Sequence, residues 1–330
     1  MTAQLLHPVT IGGLRLPNRV VMAPTTRARA TNADLVPTSL HATHYSQRAA
    51  AGLIISEGTW VSRRAIGFPD VPGVYSDPQV VGWRQVTDVV HAVGGRIVAQ
   101  LWHGGSTPHE QRIDDVVADY RAATGNARRA GFDGVEIAAN GTYLLGQFLN
   151  ARLNQRTDTY GTQRGRLLLD IVDAVTDRWP DGCVGVRLSP YWADADRPRA
   201  ERHLGDYPYT ADADTLACHD DVVAALDRRP LTYLHLRGRA GAVPDFAAIA
   251  RYRALFSGPL IANHGFDRDT GDAIIAAGIA DAVSFAKLFI ANPDLVSRFA
   301  LGHDLATSDH ATHYTGGAHG YVDYPIWAAS

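Results

Sequence analysis

The sequence has only two cysteines, Cys183 and Cys218, and no Cys or His pairs at metal-ligand spacing, which excludes a disulfide framework and offers no zinc site. No apolar run approaches the roughly 20 residues that span a bilayer. The opening MTAQLLHPVTIGG has no basic stretch leading into an apolar one, so the chain is expected in the cytoplasm. Lysine is almost missing, with Lys287 the only one, and a net charge of −3 supplies no positive field to draw nucleic acid or an anionic membrane. No Pro/Gly/Ser linker, charge block or short repeat interrupts the 330 residues, so a single domain over 1–330 is expected. No GxGxxG follows the early apolar runs, which counts against a doubly wound dinucleotide fold.

What is present is alternation. Short aliphatic or β-branched runs at 19–24, 52–57, 96–102, 134–137, 184–189, 231–236, 259–263 and 281–285 each end in small or polar residues. Segments of helical period follow most of them, for example at 78–93, 112–130, 164–179, 212–226 and 268–277. Eight such units predict an α/β fold, a single (β/α)8 TIM barrel, and the length suits it because barrels commonly run past about 250 residues as one unit. The segment 9–16 predicts a hairpin turning at Gly12 and Gly13 that plugs the barrel floor, and 302–330 reads as an irregular C-terminal tail.

In such a barrel, chemistry sits where the strands end, so the residues there matter most. The first run ends in Pro24, Thr25 and Thr26, the second in Glu57-Gly58-Thr59, the seventh in Asn263-His264-Gly265 and the eighth in Ala286-Lys287. Gln100 and Arg187 lie inside otherwise apolar runs, IVAQLW and VGVRLS, where an unpaired amide or guanidinium would cost several kcal/mol. Each needs a partner: carboxylates or backbone within the barrel, or a bound ligand. Two together favour a ligand, and a planar heterocycle with adjacent carbonyl and NH groups would satisfy both. Lys287, with backbone NH groups around Gly265 and Ala286, suits a phosphate near the last two strands, although a lone lysine is ordinarily a solvated surface residue.

In order along the chain, MAPTTRARA (22–30), HYSQRAAAGLIISEGT (44–59), VYSDPQVVGWRQVTDVVHAVGGRIVAQLWH (74–103), AGFDGVEI (130–137), QFLNARLNQRTDTYG (147–161), VGVRLSP (184–190), FIANPDLVSRF (289–299) and GYVDYP (320–325) resemble the Old Yellow Enzyme family of FMN-dependent ene-reductases, particularly its N-ethylmaleimide reductase-like branch. The resemblance implies that Pro24, Thr25 and Gly58 line the flavin through backbone, that the Thr26 hydroxyl meets the flavin C4 carbonyl, and that Gln100 and Arg187 face its pyrimidine edge. It places the FMN phosphate at His264, Gly265, Ala286 and Lys287, where the family usually has Gly-Arg in place of Ala-Lys. Lysine keeps the charge and loses the bidentate fork. The resemblance further implies that NADPH or NADH reduces FMN and that an activated alkene then takes hydride from it. Tyr143 matches the tyrosine that protonates the neighbouring carbon; read without the resemblance, it is a ring packed beside Phe148.

Two departures stand out. The family carries a His and an Asn, or a second His, after the fourth strand to hold the substrate's oxygen; here those positions are Ala138 and Gly141. A one-residue slip would return Asn140 to that duty. His313 and Tyr314 in the tail fall where the family keeps an aromatic pair near the substrate, and His313 is either a replacement donor or a solvent-facing tail residue. The second departure is that GGSTPHEQ after His103 leads almost directly into the next helix, where the family has a long loop over the substrate. Its loss leaves the flavin's reactive face open, or covered by the tail or by another subunit of a homo-oligomer. These changes suggest reduction of a specialised, bulky small molecule in secondary metabolism. The alternatives are FMN-dependent desaturation, oxidation or redox-neutral isomerisation, or a barrel that only binds, against which Thr26, Gln100, Arg187 and Tyr143 argue.

Overall fold

A computed structural model describes residues 3–105, 112–141, 143–191, 212–239 and 243–327. Two short antiparallel strands, β1 (Val9–Ile11) and β2 (Leu14–Leu16), precede eight parallel ones: β3 (Val20–Met22), β4 (Leu53–Trp60), β5 (Ile97–Trp102), β6 (Gly134–Ala139), β7 (Cys183–Leu188), β8 (Tyr233–Arg237), β9 (Leu260–Asn263) and β10 (Ala282–Phe285). These eight close into a barrel in chain order, with β10 pairing β3. The eight runs expected from the alternation are therefore the eight barrel strands. Helices over Asp77–Ala92, Ile113–Arg129, Arg166–Arg178, Ala213–Leu226 and Arg268–Ala276 follow as expected. The first of them starts where Ser76 and Gln79 form a capping box around Pro78, and the last where Asp267 caps Thr270.

Period-two alternation divides the lumen into layers. At the floor, Val21, Leu53, Ile55, Val98, Cys183, Tyr233, Ile261 and Ala282 pack with Ile11 and Leu16 of the hairpin, which is thus the expected plug. Two residues further along the same strands, the inward positions turn polar: Gln100, Glu136, His235, Asn263 and Ser284, all buried. Arg187 is two steps beyond Gly185, whose missing Cβ makes room for the Tyr233 ring, 2.2 Å from where that atom would stand.

The first barrel strand stops at Met22, short of the expected Pro24, and β6 runs to Ala139, past the expected Ile137, but the largest difference is in β4. β4 does not stop at Glu57 but continues to Trp60, through a bulge in which Ile55 pairs Val98 and Gly58 pairs Gln100. Gly58 therefore lies within the strand. A Cβ there would stand 2.4 Å from the Trp102 ring, so only glycine lets that indole lie against β4, stacked on Trp60 at 4.3 Å.

Candidate active site

The polar layer is one connected network. Gln100 Nε2 donates to Glu136 Oε1 at 2.7 Å, and Glu136 Oε2 accepts from the Tyr233 hydroxyl at 3.2 Å and meets His235 Nδ1 at 2.8 Å. His235 Nε2 lies 2.7 Å from Ser284 Oγ. Asn263 links the other end: its Nδ2 donates to the Ser284 carbonyl at 3.0 Å, and its Oδ1 accepts from Arg187 Nη2 at 2.9 Å. Arg187 Nη1 reaches the Pro24 carbonyl at 3.4 Å. Pairing within the barrel is therefore part of the answer for both residues singled out in the sequence. It is not the whole answer, because Arg187 Nε is buried with no hydrogen-bond partner, and burial pulls the guanidinium down to about 10.

Around the rim, Pro24, Thr25 and Thr26 follow β3 and are half-buried, with the Thr25 hydroxyl donating to the Ala23 carbonyl at 3.2 Å. His264 and Gly265 follow β9 with φ of 90° and 80°, which turn the chain sharply at the strand end and leave Gly265 exposed. Burial, then Arg237, Lys287 and Arg187, hold His264 down to about 4, so it is neutral at pH 7 in a positively charged surround. Ala286 is half-buried, and Lys287 is exposed as the first residue of the short helix Lys287–Ala291.

Tyr143, just after β6, meets Trp102 edge-on at 4.6 Å; that indole, and not Phe148, is its ring neighbour. Burial and Tyr314 push its hydroxyl up to about 12 against the opposing pull of Arg237 and Arg187. Asn140 caps the end of the same strand, its Oδ1 buried and without a partner, while Ala138 is packed in the core. His313 is buried, which removes the solvent-facing alternative; its Nε2 lies 2.9 Å from Ser308 Oγ. Tyr314 is exposed and packs on Phe68 at 5.5 Å.

The tail reaches this rim because two buried guanidiniums hold its backbone. Arg27 Nε donates to the His313 carbonyl at 3.0 Å and Nη2 to that of Gly320 at 2.6 Å. Arg29 Nη1 donates to His313 at 3.1 Å, Nη2 to Thr312 at 2.7 Å and Nε to Gly317 at 3.1 Å, again at carbonyls. A cleft of about 560 Å³ on the outer wall, around Arg166, Asp170 and Arg229, is a different matter. It is lined by residues in and around the helices and by none of the strand-end residues, and Arg229 and Arg166 are already paired with Asp173 and Asp170.

Compared with known proteins, the chain matches the NADH:flavin oxidoreductase / NADH oxidase family over residues 4–112 and 108–305. It belongs to that family. It is therefore a flavin-dependent oxidoreductase of the Old Yellow Enzyme type, with FMN as the flavin. It is 35% identical to 12-oxophytodienoate reductase 1 of Oryza sativa subsp. japonica over 367 aligned positions, covering 98% of this chain and 93% of the rice protein. The solved structure of morphinone reductase is 37% identical with a TM-score of 0.88, covering 99% of this chain and 97% of that one. Morphinone reductase in complex with tetrahydroNAD gives a TM-score of 0.87 at 36% identity, over 98% of both chains. The alignment with the rice enzyme is longer than this chain, so that enzyme carries residues with no counterpart here, and the family match breaks into two pieces that meet at 108–112.

The residues of this flavoenzyme fit FMN on chemical grounds. A carboxylate holds the Gln100 NH2, so its carbonyl is left as an acceptor, and Arg187, two strands away, brings an unmatched buried N–H. The exposed Gly265 backbone, with His264 and Lys287 near it, suits a phosphate. The sequence reading missed Glu136, His235, Ser284 and Arg237 as site residues. The signal was there for two of them: His235 and Arg237 alternate with Tyr233 in YLHLR, so a polar ladder shares one face of an otherwise apolar strand. Of the segment GGSTPHEQ, expected to be a shortened loop, residues 106–111 lie outside the described residues.

Proposed function

We propose that the chain is an NAD(P)H-dependent ene-reductase that reduces the activated C=C bond of a bulky, specialised small molecule. On this reading the whole of 1–330 is one FMN-binding domain working in the cytoplasm. When bound, FMN supplies a two-electron carrier that accepts hydride from a nicotinamide and passes it to an alkene carbon. Pro24, Thr25, Thr26, Gly58, Gln100 and Arg187 would hold its ring, and His264, Gly265, Ala286 and Lys287 its phosphate.

The observation that carries the reading is Tyr143. Its hydroxyl is kept protonated well above neutral pH, and its ring is fixed against Trp102, close enough to Arg187 and Arg237 to feel both charges. That is a general acid held at the rim of the barrel mouth. Asn140 would take the substrate's oxygen in place of the absent histidine. One preorganised donor of this kind contributes about 2.7 to 4 kcal/mol to the transition state. His313 is the weaker candidate because Ser308 already engages its Nε2. The break in the family match at 108–112 and the ten residues between β5 and the next helix support a short covering loop and hence a bulky substrate. The tetrahydroNAD complex of morphinone reductase supports a nicotinamide reductant, and the reductase names of the relatives support net reduction.

Anaerobic NADPH or NADH should bleach the yellow protein, and one of a panel of bulky unsaturated carbonyl compounds should restore the colour. Tyr143→Phe should leave bleaching intact and slow recolouring by about 10²–10⁴-fold. Because the proton stays on Tyr143 until about 12, the wild-type recolouring rate should be flat between about pH 6 and 9. Bleaching by a substrate without nicotinamide would transfer the enzyme to desaturation, and undiminished recolouring by Tyr143→Phe would remove the acid.

A further inference from the structure

We infer that Glu136, backed by His235 and Ser284, is a positioning residue that fixes which end of the Gln100 amide meets the flavin and biases the flavin toward its oxidised form. The inference rests on the reading that the flavin's pyrimidine edge lies on Gln100 and Arg187.

Burial alone would push the Glu136 carboxyl up; His235, with Arg187 and the Gln100 amide, outweighs it and holds the group below its usual range, so it is a carboxylate. A carboxylate only accepts. Its neighbours at 2.7, 3.2 and 2.8 Å must therefore all be donors: Gln100 Nε2–H, the Tyr233 hydroxyl and His235 Nδ1–H. Burial keeps His235 below the ordinary imidazole range and hence neutral, so with the proton on Nδ1 its Nε2 accepts, and Ser284 Oγ at 2.7 Å is the donor. The tautomer is set from behind, as a hydrogen bond to the far nitrogen sets it elsewhere.

The consequence at the mouth is directional. With Nε2 bound to Glu136, Gln100 has one orientation left, and its carbonyl is the end available to a ring N–H. Were residue 136 an amide, it would accept or donate equally well, and Gln100 would lose that bias. The second consequence is electrostatic. Reduction adds negative charge to the pyrimidine end of a flavin, and a buried carboxylate one side chain away opposes it, while the guanidinium of Arg187 on the neighbouring strand favours it. Glu136 and Arg187 thus pull in opposite directions, and the balance between them sets how readily the flavin is reduced. Neither effect requires Glu136 to touch the cofactor.

The test is the ratio of oxidised to reduced FMN in the purified yellow protein, measured anaerobically against a reference dye, with FMN affinity measured in parallel. Glu136→Gln keeps shape and removes the charge; it should favour reduced flavin by about tenfold or more, which for a two-electron couple is a rise of about 30 mV. Ser284→Ala, a milder change, removes the donor that holds the proton on Nδ1 and so weakens the hydrogen bond that keeps Glu136 a carboxylate; it should shift the ratio the same way by less. Gln100→Leu should weaken FMN binding at least tenfold. If Gln100→Leu leaves FMN affinity unchanged, the underlying placement of the flavin fails. If Gln100→Leu weakens FMN while Glu136→Gln and Ser284→Ala both stay within twofold of wild type, or shift toward oxidised flavin, the placement stands and the role of Glu136 is overturned. Should Glu136→Gln not fold, Ser284→Ala alone decides by the same twofold limit.

Discussion

The mouth of this barrel is held from two sides by different kinds of bond. On the lumen side, side chain holds side chain from Gln100 to Glu136, from Glu136 to His235, from His235 to Ser284 and from Asn263 to Arg187, and only the Asn263–Ser284 link runs to a backbone carbonyl. On the tail side, Arg27 and Arg29 hold carbonyl oxygens of Thr312, His313, Gly317 and Gly320, which any residue would provide. The first arrangement ties geometry to sequence at every link but that one. The second fixes the path of the chain and, apart from Gly317 and Gly320 with φ of 60° and 64°, leaves the side chains free to differ. A wall that keeps its course while its residues change is suited to adjusting what the site accepts, and His313 is a residue of that wall whose ring reaches the rim.

The comparison yields an ordered set of outcomes. Arg27→Ala should have the largest effect on stability, because it strands the buried Gly320 carbonyl, leaves those of His313 and Thr312 to Arg29 alone and removes a positive charge that acts on buried Glu57; a loss of about 3–5 kcal/mol in denaturant unfolding is expected. Limited proteolysis of that variant should cut first in the tail, and cleavage elsewhere would contradict the clamp. His313→Phe removes only the bond to Ser308 and should cost about 1 kcal/mol. It should nevertheless change the ratio of kcat/KM between a small and a bulky alkene, since the ring changes and the path does not. Equal kcat/KM ratios in the variant and wild type would separate the tail from substrate choice.

Much of this was legible in the sequence. Eight short apolar runs, each followed by helical period, define the barrel because parallel strands buried on both faces must be apolar. The cost of burying Gln100 and Arg187 was readable for the same reason, since each is a polar exception in such a run. What was not readable is which partners they find. Glu136, Asn263 and Ser284 lie on three other strands, and only the closed register brings them to one layer. The extension of β4 to Trp60 was hidden because a bulge at Gly58 breaks the alternation on which a strand boundary is judged. The tail was opaque for a third reason: its anchors are backbone carbonyls, which leave no mark in the residue pattern.

The central claim is that a flavin ring lies over the lumen with its polar edge on Arg187 and Gln100. It is tested most directly by the affinity of the flavin-free protein for FMN, read from quenching of FMN fluorescence, in wild type and in Arg187→Met. Loss of a charged donor to the ring predicts binding weakened by about 10- to 100-fold. Affinity unchanged within twofold would mean that the guanidinium serves only Asn263 and the Pro24 carbonyl, and would contradict the account.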